Sequence, residues 1–176
     1  MFLKMTGFKR LIKDAWKGAG LVVGNDGEGI YLYGNYWTIY LERTMISKKA
    51  KAAIMELTGE LPGVDQVFKS WENQENQYEL KETYSPDTYC PDVYEMKNMY
   101  KPTGVVFSDW SQRGRVLQEM GSLNCLIVPE RIYEMIDRKS MEKDEYDPEG
   151  PAGKYDGERN IIYWQNNACT LGVATN

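Results

Sequence analysis

The chain is 176 residues long, 42% apolar, 12% aromatic and 27% charged, with a formal charge of -5 and no histidine. This composition predicts a folded chain, and the missing imidazole excludes His-dependent nucleophilic triads, the common His-containing zinc and iron sites, and imidazole acid–base chemistry. Cys90, Cys125 and Cys169 are scattered, with no Cys-x-x-Cys pair, and no run approaches the roughly 18 apolar residues that cross a bilayer. Reduced thiols, a cytoplasmic location and no membrane contact are the expectation.

In chain order, Phe8, Leu11, Ile12, Ala15 and Trp16 recur at helical spacing, while Lys9, Arg10, Lys13 and Lys17 fall mostly off that stripe. A helix with a basic outer face is predicted, capped by Thr6 and ended by Gly18. The period then shortens. Leu21 to Val23, Ile30 to Tyr33 and Trp37 to Leu41 are β-branched and aromatic runs separated by turn residues, which predicts a three-stranded antiparallel meander. Glycines 18 to 29 follow a helix and enter strands, the reverse of a dinucleotide fingerprint, and read as turn glycines needing positive φ.

Ser47 opens a second helix through Leu57, with Ala50, Ala53, Ile54 and Leu57 on one side, Lys48, Lys49 and Lys51 in its first turns, and Gly59 and Pro62 stopping it. Three lysines there oppose the helix dipole, so they mark either a solvated face or a basic surface used for binding. Val67 to Trp71 and Tyr78 to Lys81 read as hairpin arms around a polar tip, and residues 82 to 100 as a long loop. Strands follow at Gly104 to Phe107, Arg115 to Gln118 and Leu123 to Val128. Pro129 then begins a helix running to about Arg138. Residues 142 to 158 read as a mobile acidic loop, Arg159 to Gln165 as a strand, and Cys169 to Ala174 as one more.

Short connections argue antiparallel pairing, and segregated helices argue an α+β class with about three helices in a single compact domain spanning residues 1–176. Leu21 to Gly59 and Gly104 to Arg138 share a strands-then-helix order, so two similar halves are expected. Exposed aromatics such as Tyr36 and Trp37 raise the possibility of a homodimer face, although core packing is the commoner fate of such residues.

Charge is uneven: residues 1 to 60 carry +3, residues 61 to 100 carry -5, and residues 134 to 176 carry -4. Lys9, Arg10, Lys13, Lys48, Lys49 and Lys51, beside Trp16, Tyr36 and Trp37, make a candidate nucleic-acid surface, since cations hold phosphates and aromatics stack on bases. Glu72, Glu75, Glu79, Glu82, Asp87, Asp92 and Glu95, interleaved with tyrosines including Tyr84 and Tyr89, make a candidate partner-binding acidic surface suited to a basic groove; a solubilising surface is the alternative. Asp65 followed by Glu79-Leu80-Lys81 has the outline of a PD-(D/E)xK nuclease site, in which two carboxylates hold Mg²⁺, although Val64 stands where that pattern has proline. A cross-strand charge pair explains the same residues.

Leu11 to Leu21, Gly29 to Trp37 and Ala52 to Pro62 resemble segments of small proteins from Firmicutes phages and mobile elements. Among these are anti-CRISPR proteins that inhibit the RNA-guided DNA nuclease of type II systems. The resemblance covers about the first third of the chain. It implies a non-catalytic inhibitor in the host bacterial cytoplasm, without cofactor or metal. Such an inhibitor would bind the type II CRISPR effector nuclease with its guide RNA and block DNA binding or cleavage. Because these families share no fold or catalytic residues, the resemblance assigns no site residue. A protein that binds double-stranded DNA through the basic N-terminal helices is the first alternative, and a Mg²⁺-dependent nuclease the second.

Overall fold

The structure is a computed structural model that describes residues 1–78, 84, 93–108, 113–141 and 151–175. The first helix, α1 (Met5–Lys17), buries Phe8, Leu11 and Ile12, each worth about 1.5–3 kcal/mol on removal from water. It begins at Met5, one residue before Thr6, with Lys4 at the cap position and no side-chain cap. The Lys4 N–H donates to the Met135 carbonyl at 2.7 Å and its Nζ to the Glu134 carbonyl. These long-range bonds set the helix start, so Thr6 is not the cap that local sequence predicts.

The predicted meander follows as β1 (Leu21–Asn25), β2 (Gly29–Tyr33) and β3 (Trp37–Glu42), all antiparallel. Gly27 adopts φ 92° in the first turn, as a tight hairpin requires. Gly24 is needed for another reason: a Cβ there would lie 2.0 Å from the Tyr31 ring directly across the ladder. The second helix, α2 (Lys48–Thr58), starts at Ser47, whose hydroxyl accepts the Ala50 N–H at 3.1 Å, and stops at Gly59 with φ 79°. Both ends match the sequence signals.

After α2, β4 (Gln66–Ser70) returns to pair with β1, and β5 (Gln77–Tyr78) pairs with β4. A 3₁₀ turn at Val93–Glu95 precedes β6 (Met99–Ser108), β7 (Arg113–Glu119) and β8 (Cys125–Pro129). The helix expected to reach Arg138 is only four residues long, α3 (Glu130–Tyr133). The N-terminal segment stops it: Leu3 bridges to Ile136, and the Asp137 N–H donates to the Phe2 carbonyl, taking backbone groups that a longer helix would need.

Within the segment expected to be a mobile loop lies β9 (Gly153–Asp156), held between β10 (Ile161–Asn166) and β6. Its four residues form a strand through their partners rather than through propensity. Gly153 leaves room for Ile162 and Trp164, and the Tyr155 ring meets Tyr100 edge-on at 5.4 Å. The last strand, β11 (Cys169–Ala174), joins β10 to β3.

One antiparallel sheet of eleven strands results, in the order β5-β4-β1-β2-β3-β11-β10-β9-β6-β7-β8. The first five strands and the last five have the same arrangement. In each, a meander is followed by a helix, a strand returning to the first meander strand, and a further strand outside it. The class is α+β, with three α-helices among the described residues, and the two expected halves are present, joined by β11.

All three helices pack on one face of the sheet. The core there unites Phe8, Ile12, Ala53 and Ile54 with Leu32, Ile39, Phe68, Leu117, Trp164 and Leu171. The opposite face of the first half holds a second cluster, Val22, Tyr31, Tyr33 and Val67, with Tyr40 and Tyr84 packed against it.

Candidate nucleic-acid interface

The α1 and α2 helices lie in contact on the shared helical face, so their outer surfaces form one continuous exposed region. Together they carry seven basic side chains, Lys9, Arg10, Lys13, Lys17, Lys48, Lys49 and Lys51, and two acidic ones, Asp14 and Glu56. Six of the seven are exposed and Lys51 is half-buried.

Each acid is already matched. Glu56 meets Lys9 at 3.8 Å across the two helices, and Asp14 meets Arg131 of α3 at 3.7 Å. Lys17 pairs with Glu72 at 3.3 Å. Arg10, Lys13, Lys48, Lys49 and Lys51 have no ion pair among the described residues. Five cations without an ion pair stand on adjacent helices, and both acids of these helices are already matched, so the region carries net positive charge.

The aromatics expected to stack on bases are committed elsewhere. Trp37 is buried in the core. Trp16 is half-buried and donates its indole N–H to Ser70 Oγ at 3.2 Å. Tyr36 lies beneath Arg131, whose guanidinium sits 5.5 Å from the ring centroid and donates to the phenolic oxygen. Thus Trp37 is closed to stacking or to a partner, while Trp16 and Tyr36 are engaged by Ser70 and Arg131. Apolar burial took the rings because they sit at core-facing positions of α1 and the β2–β3 hairpin.

The expected acidic surface divides. Glu72, Glu75 and Glu95 are exposed, with Glu72 tied to α1 by its Lys17 pair and by its N–H, which donates to the Trp16 carbonyl. Tyr84 is half-buried, its ring tilted 5.8 Å from that of Tyr33, so it covers the sheet. Glu79, Glu82, Asp87, Tyr89 and Asp92 lie outside the described residues, as does Lys81.

Of the nuclease-like trio only Asp65 is described. It sits at an exposed turn with φ 62°, its N–H donating to the Asn25 carbonyl. Around this turn, burial first and then Asp26 and Glu28 push the Glu42 carboxyl up, while burial, Asp26 and Asp65 push the Tyr31 hydroxyl up to about 12. Asp26 is occupied by the N–H groups of Glu28 and Gly29 and by the Tyr40 hydroxyl. Among the described residues no group of three or more acids or cysteines is placed to hold a metal ion. Among the described residues no helix is long and apolar enough to cross a membrane.

No protein-family model matches the chain, and no curated protein matches it. Solved structures to which its fold is similar include three from different bacteria. A putative DNA polymerase III β subunit from Eubacterium rectale shares 12% identity at a TM-score of 0.43, covering 98% of this chain and 62% of that one. The DNA polymerase sliding clamp from Bacillus subtilis shares 7% identity at a TM-score of 0.43, over 99% and 63%. The DNA polymerase III β subunit from Thermotoga maritima shares 9% at 0.41, over 98% and 63%. The chain thus spans less than two thirds of the length of these structures. These neighbours are polymerase clamp subunits and not inhibitors of an RNA-guided nuclease, which overturns the anti-CRISPR resemblance. The sequence likeness rested on an amphipathic helix and a hairpin meander, features that unrelated folds share. The type II effector nuclease and its guide RNA fall as partners with it.

Proposed function

We propose that this chain is a non-catalytic double-stranded-DNA-binding accessory protein that holds the phosphate backbone on the outer faces of α1 and α2. The observation that carries this reading is the set of five unmatched cations, Arg10, Lys13, Lys48, Lys49 and Lys51, on two adjoining helices whose own acids are already paired. Apart from the paired acids Asp14 and Glu56, the outward side chains of these helices are cations, Thr6, Ala52 and Met55, with no amide suited to reading a base edge, so binding is sequence-independent. Burial of Trp16 and Trp37 removes the stacking that single strands reward, so a duplex is the preferred form.

Titration of the purified chain with fluorescent duplexes of unrelated sequence tests this. The logarithm of affinity should fall with the logarithm of salt concentration at a slope of about -4 to -5, as five phosphate contacts require. Charge reversal of Lys48, Lys49 and Lys51 to Glu should weaken binding at least about tenfold and flatten the slope by about 3. The substitutions place acids in the first turn of α2, where the helix dipole favours them, so the fold is retained. Undiminished binding by the triple variant, or affinity indifferent to salt, overturns the proposal.

A further inference from the structure

The polar connection between β4 and β5, residues 71–76, is fastened to both basic helices at their C-terminal ends. At α1 the Glu72 N–H donates to the Trp16 carbonyl at 3.2 Å, and the Trp16 indole donates to Ser70 Oγ. At the end of α2 the Asn76 amide donates to the Thr58 carbonyl and to the Glu60 carboxylate, both at 2.9 Å. The Tyr78 hydroxyl donates to the same carboxylate. These side-chain bonds hold the Glu60 carboxyl below its ordinary range, so it stays ionised. Glu60, Glu72 and Glu75 are exposed, and a fixed acidic rim therefore closes the basic surface on this side. The three lysines of α2 stand in its first turns, at the other end of that helix.

One cation of α1 falls inside this rim. Lys17, the basic residue of the last turn, meets Glu72 at 3.3 Å, with both side chains nearly half exposed. An exposed pair of this kind is weak by itself. Here, however, the backbone bond to Trp16 keeps Glu72 beside the end of α1. A phosphate that drew Lys17 away would face the carboxylate that Lys17 had neutralised, and the attraction of the one charge is offset by the repulsion of the other.

We propose that Glu72 sets the limit of the phosphate-binding surface, cancelling Lys17 so that the C-terminal end of α1 contributes no contact. This rests on the DNA-binding reading of the two helices and deepens it. Lys9 is matched by Glu56, so Arg10 and Lys13 remain as the contacts of α1. A duplex is thereby held over these two residues and the first turns of α2, away from the β4–β5 rim. Glu72 acts as a positioning residue, through Lys17, and it works against affinity.

Titration of one fluorescent duplex at several salt concentrations tests this with the wild-type chain, Glu72→Gln, Lys17→Gln and the double variant. Glu72→Gln removes the charge while keeping the side-chain size and the backbone bond to Trp16. It should bind at least about threefold tighter at about 0.1 M salt and steepen the salt slope by about 0.9, the mark of one added phosphate contact. Lys17→Gln alone should leave the wild-type slope unchanged, because no contact is lost. In the Glu72→Gln background it should return the slope to the wild-type value. Circular dichroism of each variant reports folding, and a mere change in stability would not move the slope. An equal loss of slope from Lys17→Gln in both backgrounds means that Lys17 already holds a phosphate, and overturns the proposal. Salt-dependent wild-type binding with an unchanged Glu72→Gln slope removes this inference alone, whereas wild-type affinity indifferent to salt removes the DNA-binding reading as well.

Discussion

The two halves of the sheet share a strand order but solve burial differently. In the first half both faces are covered: the helical face by α1 and α2, and the opposite face by the cluster of Val22, Tyr31, Tyr33 and Val67. In the second half the opposite face is buried at β10, where Tyr163 is inaccessible, but among the described residues it stays open at β6 and β7. Phe107 remains 49% exposed and Leu123 90% exposed, and Val116 is half-buried. A groove of about 580 Å³ runs between Lys101, Pro102 and Thr103 and the β7–β8 turn. The same connectivity thus supports one half covered on both faces and one whose second face is covered at β10 and open at β6 and β7. Topology sets the order of strands, and side-chain volume on each face sets how much of each strand leaves water.

The halves also anchor their helices by different means. The α2 helix rests on a Ser47 cap, a Gly59 stop and three buried apolar residues. With a single turn, α3 has too few backbone bonds to stand alone. Its anchor is Glu130, nearly buried, which accepts from Arg115 Nε at 2.9 Å, while the same guanidinium lies over the Tyr133 ring. That carboxylate bond raises the Arg115 pKa, so the guanidinium keeps its charge.

Three measurements can break or sharpen this contrast. Tyr31→Ala should cost about 3–5 kcal/mol in denaturant unfolding, because a fully buried ring is removed, whereas Val116→Ala, on the same face of the corresponding middle strand, should cost less than about 1.5 kcal/mol. Equal losses would mean that the second half is covered as fully as the first. Glu130→Ala should cost about 3 kcal/mol by stranding the Arg115 charge, and the double variant Arg115→Met/Glu130→Leu should recover most of it. If the double variant melts no higher than the single one, the ion pair is not what holds α3. Finally, the Tyr31 hydroxyl keeps its proton up to about pH 12 in the folded chain, while an unfolded tyrosine loses it near pH 10. Stability therefore falls as pH rises from 10 to 12, by about 2–3 kcal/mol for this group. Tyr31→Phe should remove that share of the alkaline loss, seen as a flatter unfolding midpoint against pH.

The candidate interface was legible in part. Arg10, Lys13, Lys48, Lys49 and Lys51 stand off the apolar stripes of two well-formed helical patterns, and the periodicity alone places them outside. Which cations remain unmatched was not legible. The partner of Asp14 is Arg131, brought across from α3, and the partner of Lys9 is Glu56, brought across from α2. Trp16 stood on the apolar stripe of α1, which already pointed it toward the core, whereas the bond from its indole to Ser70 and the placing of Arg131 over Tyr36 had no sequence signal.

What the sequence determined by itself was local: α1 and α2 with the Ser47 cap and Gly59 stop, the β1–β3 meander and the strand character of β10 and β11. Spacing of apolar residues and turn chemistry act within a few positions of one another, so a linear reading captures them. Tertiary structure alone decided the return of β4 to β1 and of β9 to β6, the shortening of α3 by Leu3 and Phe2, and the aliphatic edge at β8. Each of these depends on backbone hydrogen bonds between residues far apart in the chain. Such bonds form only when collapse brings their partners together, and no local pattern records them.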